Sequence, residues 1–308
     1  MADPVIAPLI ECVANFSEGR DGARVAAIEG AIRSVTGVVV LRSEKDADHN
    51  RSVITFVGPP DAVEAGALRG IQTAVELIDL RKHAGVHPRM GAADVVPFVP
   101  LQGMTLADCV AIARRVGEEV WKRLRVPVYF YEAAALSPDR RLLENCRRGG
   151  FESPRIPPDV GGPDLHPSAG ACIIGARKIL IAFNINLKTN DVGIAQEIAR
   201  KIRTSSGGMP FVKALGLPLA GRGLVQVSMN LTDFEQTPVH QVFDAVKREA
   251  AIRGVEIAGS EIIGLIPKKA IEDAAAHYLQ SENFESRLVL ENRLAEAQRA
   301  LEMTRDGR

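Results

Sequence analysis

Cysteine is scarce: Cys12, Cys109, Cys146 and Cys172 are the only four in 308 residues, and no two form a C-x-x-C pair. That scatter excludes a disulfide framework or zinc cluster and predicts buried, reduced thiols. Net charge is missing too, because 38 Lys and Arg balance 38 Asp and Glu. A neutral chain has no general footprint for nucleic acid or a membrane surface, so any cationic site must be local. No apolar run approaches the roughly 18 residues that span a bilayer. The opening Met-Ala-Asp-Pro lacks the basic start and apolar stretch of a signal peptide. Also absent are G-x-x-x-x-G-K-[ST], a G-x-G-x-x-G opening a helix, and G-x-S-x-G. Their absence argues against nucleotide hydrolysis, a Rossmann dehydrogenase and serine hydrolysis. The expectation is a cytoplasmic globular protein with no nucleic-acid or membrane partner.

What is present is ordinary globular material, 46% hydrophobic and 25% charged. The length suits about two domains. In the first half, short apolar runs at Leu9–Val13, Val38–Leu41, Ser52–Val57, Val95–Val99 and Val126–Tyr131 read as strands. Helical patterns fall over Ala23–Ser34, from Asp61 to about Leu80, and after Thr105. Asp61 with Glu64 resembles a capping box. The second half repeats the grammar with strands at Ile179–Leu187, Phe211–Leu217, Leu224–Asn230 and Val255–Ile266. Its helices are Val192–Thr204 and one opened by Thr237-Pro238.

That order is β-α-β-β-α-β, the split unit of ferredoxin-like folds, and the first half carries it with an extra helix and strand. The fold expected is α+β: two such subdomains with mixed sheets, 1–178 and 179–284, a ligand site at their junction and a charged helical tail over 285–308. Leu288, Leu294 and Leu301 would pack that tail along one stripe.

Residues 151–170 show no periodicity and hold five prolines and three glycines. A structureless stretch of this length is functional or a plain linker, and both readings stay open. The densest polar segment is Arg81-Lys82-His83-Ala84-Gly85-Val86-His87-Pro88-Arg89-Met90-Gly91. Two histidines four apart on a helix could hold a metal, but Gly85 and Pro88 argue against that helix. The alternative is a histidine in extended geometry among cations, able to take and return a proton near neutral pH. Asp46-Ala47-Asp48-His49-Asn50-Arg51 is either a hydrated turn or a pair of carboxylate donors, Asn50 and Arg51. Gly175-Ala176-Arg177-Lys178 is either a solvated pair at a strand start or a cationic patch at the junction. The residues alone reach a histidine-centred site for an anionic small molecule.

Seven collinear segments resemble the glutamate formiminotransferase family. They are Glu11–Gly19 (ECVANFSEG), Asn50–Gly58 (NRSVITFVG), His87–Ala92 (HPRMGA), Gly175–Lys178 (GARK), Asn184–Leu187 (NINL), Gln226–Leu231 (QVSMNL) and Gly259–Glu261 (GSE). The resemblance implies two α/β subdomains in a homodimer, in the stand-alone form without the cyclodeaminase domain. It implies transfer of a formimino group from N-formimino-L-glutamate to tetrahydrofolate, the co-substrate, in histidine breakdown, with no metal. The catalytic histidine falls on His87. The folate-contacting loop falls on Gly161, Gly162, Pro163, Asp164, Leu165, His166, Pro167, Ser168, Ala169 and Gly170. Asn50, Arg51, Arg89 and Lys178 are the candidate anchors for substrate carboxylates. Val86 stands where many members carry glutamate, Ala14 replaces a usual proline, and Arg42-Ser43-Glu44 replaces an aspartate-rich strand end. Two alternatives are a non-catalytic folate-binding module and formyl transfer between 5-formyltetrahydrofolate and glutamate. A third is a metal-dependent hydrolase on His83, His87 and Asp94.

Overall fold

A computed structural model describes residues 7–47, 49–85 and 89–306. The chain forms two compact α+β units, Met1–Lys178 and Ile179–Arg308.

The first unit runs β1 (Ile10–Phe16), α1 (Gly22–Arg33), β2 (Val39–Asp46), β3 (Arg51–Gly58), α2 (Pro60–Leu77) and β4 (Ala93–Pro100). It continues with α3 (Leu106–Leu124), β5 (Val128–Glu132), the short α4 (Leu143–Cys146) and β6 (Cys172–Ala176). Period-two alternation makes β1 a strand with one buried face: Ile10, Cys12, Ala14 and Phe16 point inward. The sheet order is β2-β3-β1-β4-β6-β5. The first four strands are antiparallel, while β4, β6 and β5 are mutually parallel. Ile28, Ile32, Ile71 and Val116 from α1, α2 and α3 share a core with Phe56, Phe98 and Ile174 of the sheet. A smaller core joins Val95, Tyr129, Tyr131 and Ile173 to Met90, Cys146 and Ala171, with Leu143, Ile156 and Leu165 packed against it. The Pro- and Gly-rich segment is therefore folded onto the sheet and is not a plain linker.

The second unit runs β7 (Ile181–Leu187), α5 (Val192–Ile202), β8 (Val212–Leu219), β9 (Leu224–Leu231), α6 (Val239–Ile252) and β10 (Ile257–Ile263). Two helices come after it, α7 (Lys268–Leu279) and α8 (Leu290–Asp306). Its sheet is antiparallel in the order β10-β7-β9-β8. Ile198 and Ile202 of α5 and Val242 and Val246 of α6 share its core with Ile185 and Val227. Both units thus carry the β-α-β-β-α-β order expected from the sequence.

Several local expectations are corrected. The Asp61–Glu64 capping box does not form: Pro59 is the N-cap of α2 without a side-chain bond, and Glu64 pairs with Arg115 of α3 at 2.7 Å. That helix ends at Leu77, and Leu80–Lys82 is a separate single turn capped by Asp79. The first unit gains two strands beyond the repeat and not one, because Cys172–Ala176, to which the residues alone assign no strand, is the interior strand β6. Buried on both faces, it has no alternation to mark it. Of the leucine stripe expected to pack the tail, Leu288 and Leu294 are 59% and 52% exposed and so do not pack, while the Leu301 side chain lies outside the described residues.

All four cysteines are free and buried. Burial pushes the Cys109 thiol up to about 12 and that of Cys146 to about 11, so both stay protonated and inert. Among the described residues, no helix is long and apolar enough to cross a membrane.

Gly117 shows how closely α3 lies on the sheet. A Cβ there would meet the Phe130 ring at 2.7 Å and Val128 at 3.3 Å. Alanine favours a helix over glycine by about 1 kcal/mol, while overpacking a core costs about 1–3 kcal/mol. Gly117→Ala is therefore expected to be neutral to destabilising by up to about 2 kcal/mol in urea unfolding; a clear gain in stability would contradict this packing.

Candidate active site

Three loops of the first unit are tied together at one asparagine. Asn50 lies in the turn between β2 and β3 in the left-handed region, φ 49°. Its Oδ1 accepts from the Gly19 N–H at 3.0 Å, its Nδ2 donates to the Ala84 carbonyl at 3.1 Å, and its own carbonyl accepts from His83 Nε2 at 3.0 Å. The close approach demands glycine: a Cβ on Gly19 would sit 2.2 Å from the Asp46 carbonyl, and one on Gly85 would sit 2.5 Å from that of His49. Ser17 completes the junction, with Oγ donating to the Gly91 carbonyl at 2.7 Å and N–H to that of Ala92 at 2.9 Å. Both polar groups of the Asn50 side chain thus hold backbone.

The bond to a carbonyl puts the neutral His83 proton on Nε2. Nδ1 is then a buried lone pair with no hydrogen-bond partner among the described residues. Burial lowers the His83 pKa; the Asn50 bond raises it, and the nearby Arg89 charge lowers it again. Arg89 Nη2 donates to the His83 carbonyl at 3.2 Å and to Glu152 at 2.7 Å. His87, with Val86 and Pro88, lies outside the described residues.

Arg89-Met90-Gly91 is gripped from below. Asp94, 1% exposed, accepts the Met90 N–H at 2.7 Å and the Gly91 N–H at 3.4 Å through Oδ1, and pairs through Oδ2 with Arg147. The Phe151 N–H donates to the Arg89 carbonyl at 3.1 Å. The turn at Gly149 and Gly150, both left-handed at φ 92° and 64°, brings residues 147–152 back onto this segment. Arg51 lies nearby; burial and then the Arg147 charge lower its pKa, while Asp94 and Asp46 raise it.

The 159–171 segment is held at both ends. Asp159 N–H donates to the Val128 carbonyl at 2.8 Å, and Asp159 Oδ2 accepts the Phe130 N–H at 2.8 Å. Gly161, at φ 76°, sits on the Trp121 ring, where a Cβ would come within 2.4 Å. Gly161, Gly162, Pro163 and Asp164 are exposed. His166 turns inward, Nδ1 accepting from the Ala169 N–H at 3.0 Å, and burial lowers its pKa. The Ser168 and Ala169 carbonyls accept from Leu80 and Ala92, and Ala171 N–H donates to Met90. A Cβ on Gly170 would stand 2.1 Å from the Met90 carbonyl.

Residues 166–170 therefore border the same 80–92 segment that joins Asn50 and Arg89. Lys178 stands apart, exposed beyond the far end of β6 from Ala171. Five strand residues separate those ends, roughly 17 Å. Sequence reasoning reaches Asp94 only through the metal alternative and misses Arg147 altogether; the Gly149-Gly150 pair is the one local sign of a turn there. Among the described residues, no group of three or more His, Cys, Asp or Glu side chains is placed to hold a metal. The arrangement joins a neutral imidazole and several guanidiniums to backbone held in fixed loops.

This geometry accompanies clear sequence relationships. The family described as the formiminotransferase domain, N-terminal subdomain, matches residues 9–177, and the formiminotransferase domain matches residues 182–301. The chain is 46% identical over 297 residues to the glutamate formimidoyltransferase of Thermoplasma acidophilum, covering 94% of this chain and 98% of that one. It is 42% identical over 299 residues to the glutamate formimidoyltransferase of Streptococcus pyogenes serotype M1, covering 94% and 99%. A mouse formimidoyltransferase-cyclodeaminase is 43% identical over 289 residues, covering 89% of this chain and 53% of that protein.

The ties at Asn50 can be tested from both ends. Asn50→Ala leaves the Gly19 N–H and Ala84 carbonyl without partners and is expected to cost about 1–3 kcal/mol in denaturant unfolding; no loss would mean that these loops hold without it. Because the folded pKa of His83 lies below its ordinary value, the unfolded chain binds the extra proton as pH falls through about 6.5. The His83 contribution to stability is thus present above that pH and lost on acidification. His83→Gln should flatten the slope of unfolding free energy between about pH 5 and 7; an unchanged slope would contradict the assignment.

Proposed function

The chain belongs to the formiminotransferase family, and from that membership we propose that it moves the formimino group of N-formimino-L-glutamate onto N5 of tetrahydrofolate. The products are 5-formiminotetrahydrofolate and glutamate. The observation that carries this reading is the 42–46% identity to two glutamate formimidoyltransferases along 94% of the chain and nearly all of theirs. Tetrahydrofolate is a co-substrate, consumed as acceptor, and the homodimer and cytoplasmic location implied by the family belong to the same reading.

The reaction is acyl-type transfer at an amidine carbon. N5 attacks that carbon and forms a tetrahedral adduct; its N–H proton must leave, and the glutamate nitrogen must gain a proton as its bond to carbon breaks. One neutral histidine can perform both proton movements in turn. We assign that role to His87, by its place in His87-Pro88-Arg89-Met90-Gly91. The described residues support it by fixing the backbone just beyond it: Met90 and Gly91 hang on Asp94, and Arg89 is tied to His83 and Glu152. No redox change occurs and water is not the nucleophile, so the chemistry requires neither a metal nor a nicotinamide. Residues 161–170 serve as the folate-contacting loop, and Arg51, Arg89 and Lys178 as carboxylate anchors. Asn50 acts by position, since its side chain already holds Gly19 and Ala84.

His87→Ala is expected to lower kcat by about 10²–10⁴-fold, the range of a general base, with tetrahydrofolate affinity unchanged by calorimetry. Equal loss of turnover and binding in a folded variant would make His87 a binding residue. Tetrahydrofolate binding without turnover in the wild type would favour the non-catalytic module or the formyl donor.

A further inference from the structure

Among the described residues, 161–165 make no hydrogen bond, and the first four of them are exposed. Their shape therefore comes from the chain on either side. After them, His166 and Gly170 exchange two backbone bonds at 3.0 and 2.9 Å. Before them, the chain is tied to β5 and to one arginine. Tyr129 Oη donates to the Ile156 carbonyl at 2.9 Å, and Asp159 bonds Val128 and Phe130 of the same strand. Arg140, from the short turn Pro138–Arg141, supplies the rest. Its Nη2 donates to the Pro157 carbonyl at 2.8 Å, and its Nη1 lies 2.6 Å from Asp159 Oδ2. The guanidinium also stands 5.9 Å from the centroid of the Tyr129 ring.

Both members of this ion pair are withdrawn from water, the Arg140 side chain at 15% exposure and that of Asp159 at 6%. Salt screens such a pair far less than a surface one. Nη1 makes no in-line hydrogen bond, so charge holds it to Asp159 while Nη2 supplies the directional contact. Asp159 Oδ2 accepts the Phe130 N–H as well, and one carboxylate oxygen thus joins the strand, the turn and the loop. Gly161 follows two residues later, seated on the Trp121 ring. A ligand that contacts an unfixed loop must order it, and the cost grows with each residue released. A clamp at Pro157 and Asp159 removes part of that cost before the ligand arrives.

We propose that Arg140, acting through Asp159, is a positioning residue for the 161–165 arc and sets the affinity for tetrahydrofolate. The proposal rests on the transfer reading above, which gives this loop its folate contact. Arg140 touches no reacting atom, so its effect falls on the binding of one substrate and not on the chemical step.

The test compares wild type with two variants. Arg140→Met combined with Asp159→Asn removes both charges together and leaves neither buried alone; Arg140→Lys keeps the charge and loses the fork. In the double variant the calorimetric Kd for tetrahydrofolate should rise about tenfold or more, the worth of fixing one loop residue. KM for tetrahydrofolate should rise more than kcat falls, with KM for formiminoglutamate kept, and Arg140→Lys should recover part of the affinity. Without ligand, the Asp159 and Val160 amides, which bond Val128, should exchange hydrogen faster in the double variant. Unchanged tetrahydrofolate affinity in the folded double variant overturns the proposal. So does an equal loss of kcat and of affinity for both substrates, which marks a pair that serves stability alone. Should the double variant fail to fold, Arg140→Lys decides: tetrahydrofolate affinity equal to that of the wild type counts against the proposal, and weaker binding of that substrate alone supports it. A wild type that binds no tetrahydrofolate refutes the folate reading of the loop, while the exchange rates at Asp159 and Val160 still decide whether Arg140 holds it.

Discussion

Everything proposed for the site depends on a left-handed asparagine. At φ 49° Asn50 turns β2 into β3 in a conformation that most side chains avoid but asparagine tolerates. The turn aims the side chain at two other loops, where a short amide can donate to one backbone and accept from another. Aspartate would lose the donor, and glycine would lose both bonds while keeping the backbone. The residue is 7% exposed, so each bond replaces a desolvated orphan rather than a hydrated group. His83 is the third arm, bonded to the Asn50 carbonyl through Nε2, and that bond sets its tautomer. A turn, a helix entry and residues 83–84 are thus tied to one residue.

The opposite flank depends on a sheet extension. β4, β6 and β5 are parallel, which places the start of β6 beside the start of β4 and sets Ala171 against Met90. The chain between β5 and β6 must cross that end of the sheet, and it buries Leu143, Ile156 and Leu165 in doing so. Two of its stretches then meet the same segment from two sides: Arg147–Glu152 through Asp94 and Arg89, and His166–Gly170 through Leu80, Met90 and Ala92. The described residues on either side of 86–88 are thus held, Ala84 by Asn50 and Arg89–Gly91 by Glu152 and Asp94, which suits the proton-carrying role proposed for His87.

Much of this was legible in the residues. Alternation in Ile10–Phe16, the β-branched run Ser52–Val57 and the stops at Gly58-Pro59-Pro60 mark strands and boundaries that rest on local chemistry. β6 was not legible, because burial on both faces leaves a short apolar run with no period, directly after a stretch rich in proline. The tail misled for the opposite reason: Leu288 and Leu294 repeat at helical spacing, yet among the described residues no surface covers them. At the site, Asn50 and Arg51 were legible as donors and Arg89 as a cation beside the histidines, residues 161–170 stood out by composition and took their folate-contacting role from the resemblance, and nothing local foretold that Asn50 would hold backbone on both sides. Arg147 and Asp94 escaped because their pairing spans 53 residues and leaves no pattern in either neighbourhood.

The central chemical claim is that a whole formimino unit passes to the folate. Formiminoglutamate labelled with ¹³C and ¹⁵N in the formimino group tests it most directly, with the reaction followed by NMR in the presence of tetrahydrofolate. Transfer of the intact unit predicts that the ¹³C–¹⁵N bond survives and the labelled carbon becomes bonded to N5 as unlabelled glutamate is released. Release of the ¹⁵N as ammonia before transfer, or a label that never leaves glutamate, would contradict it.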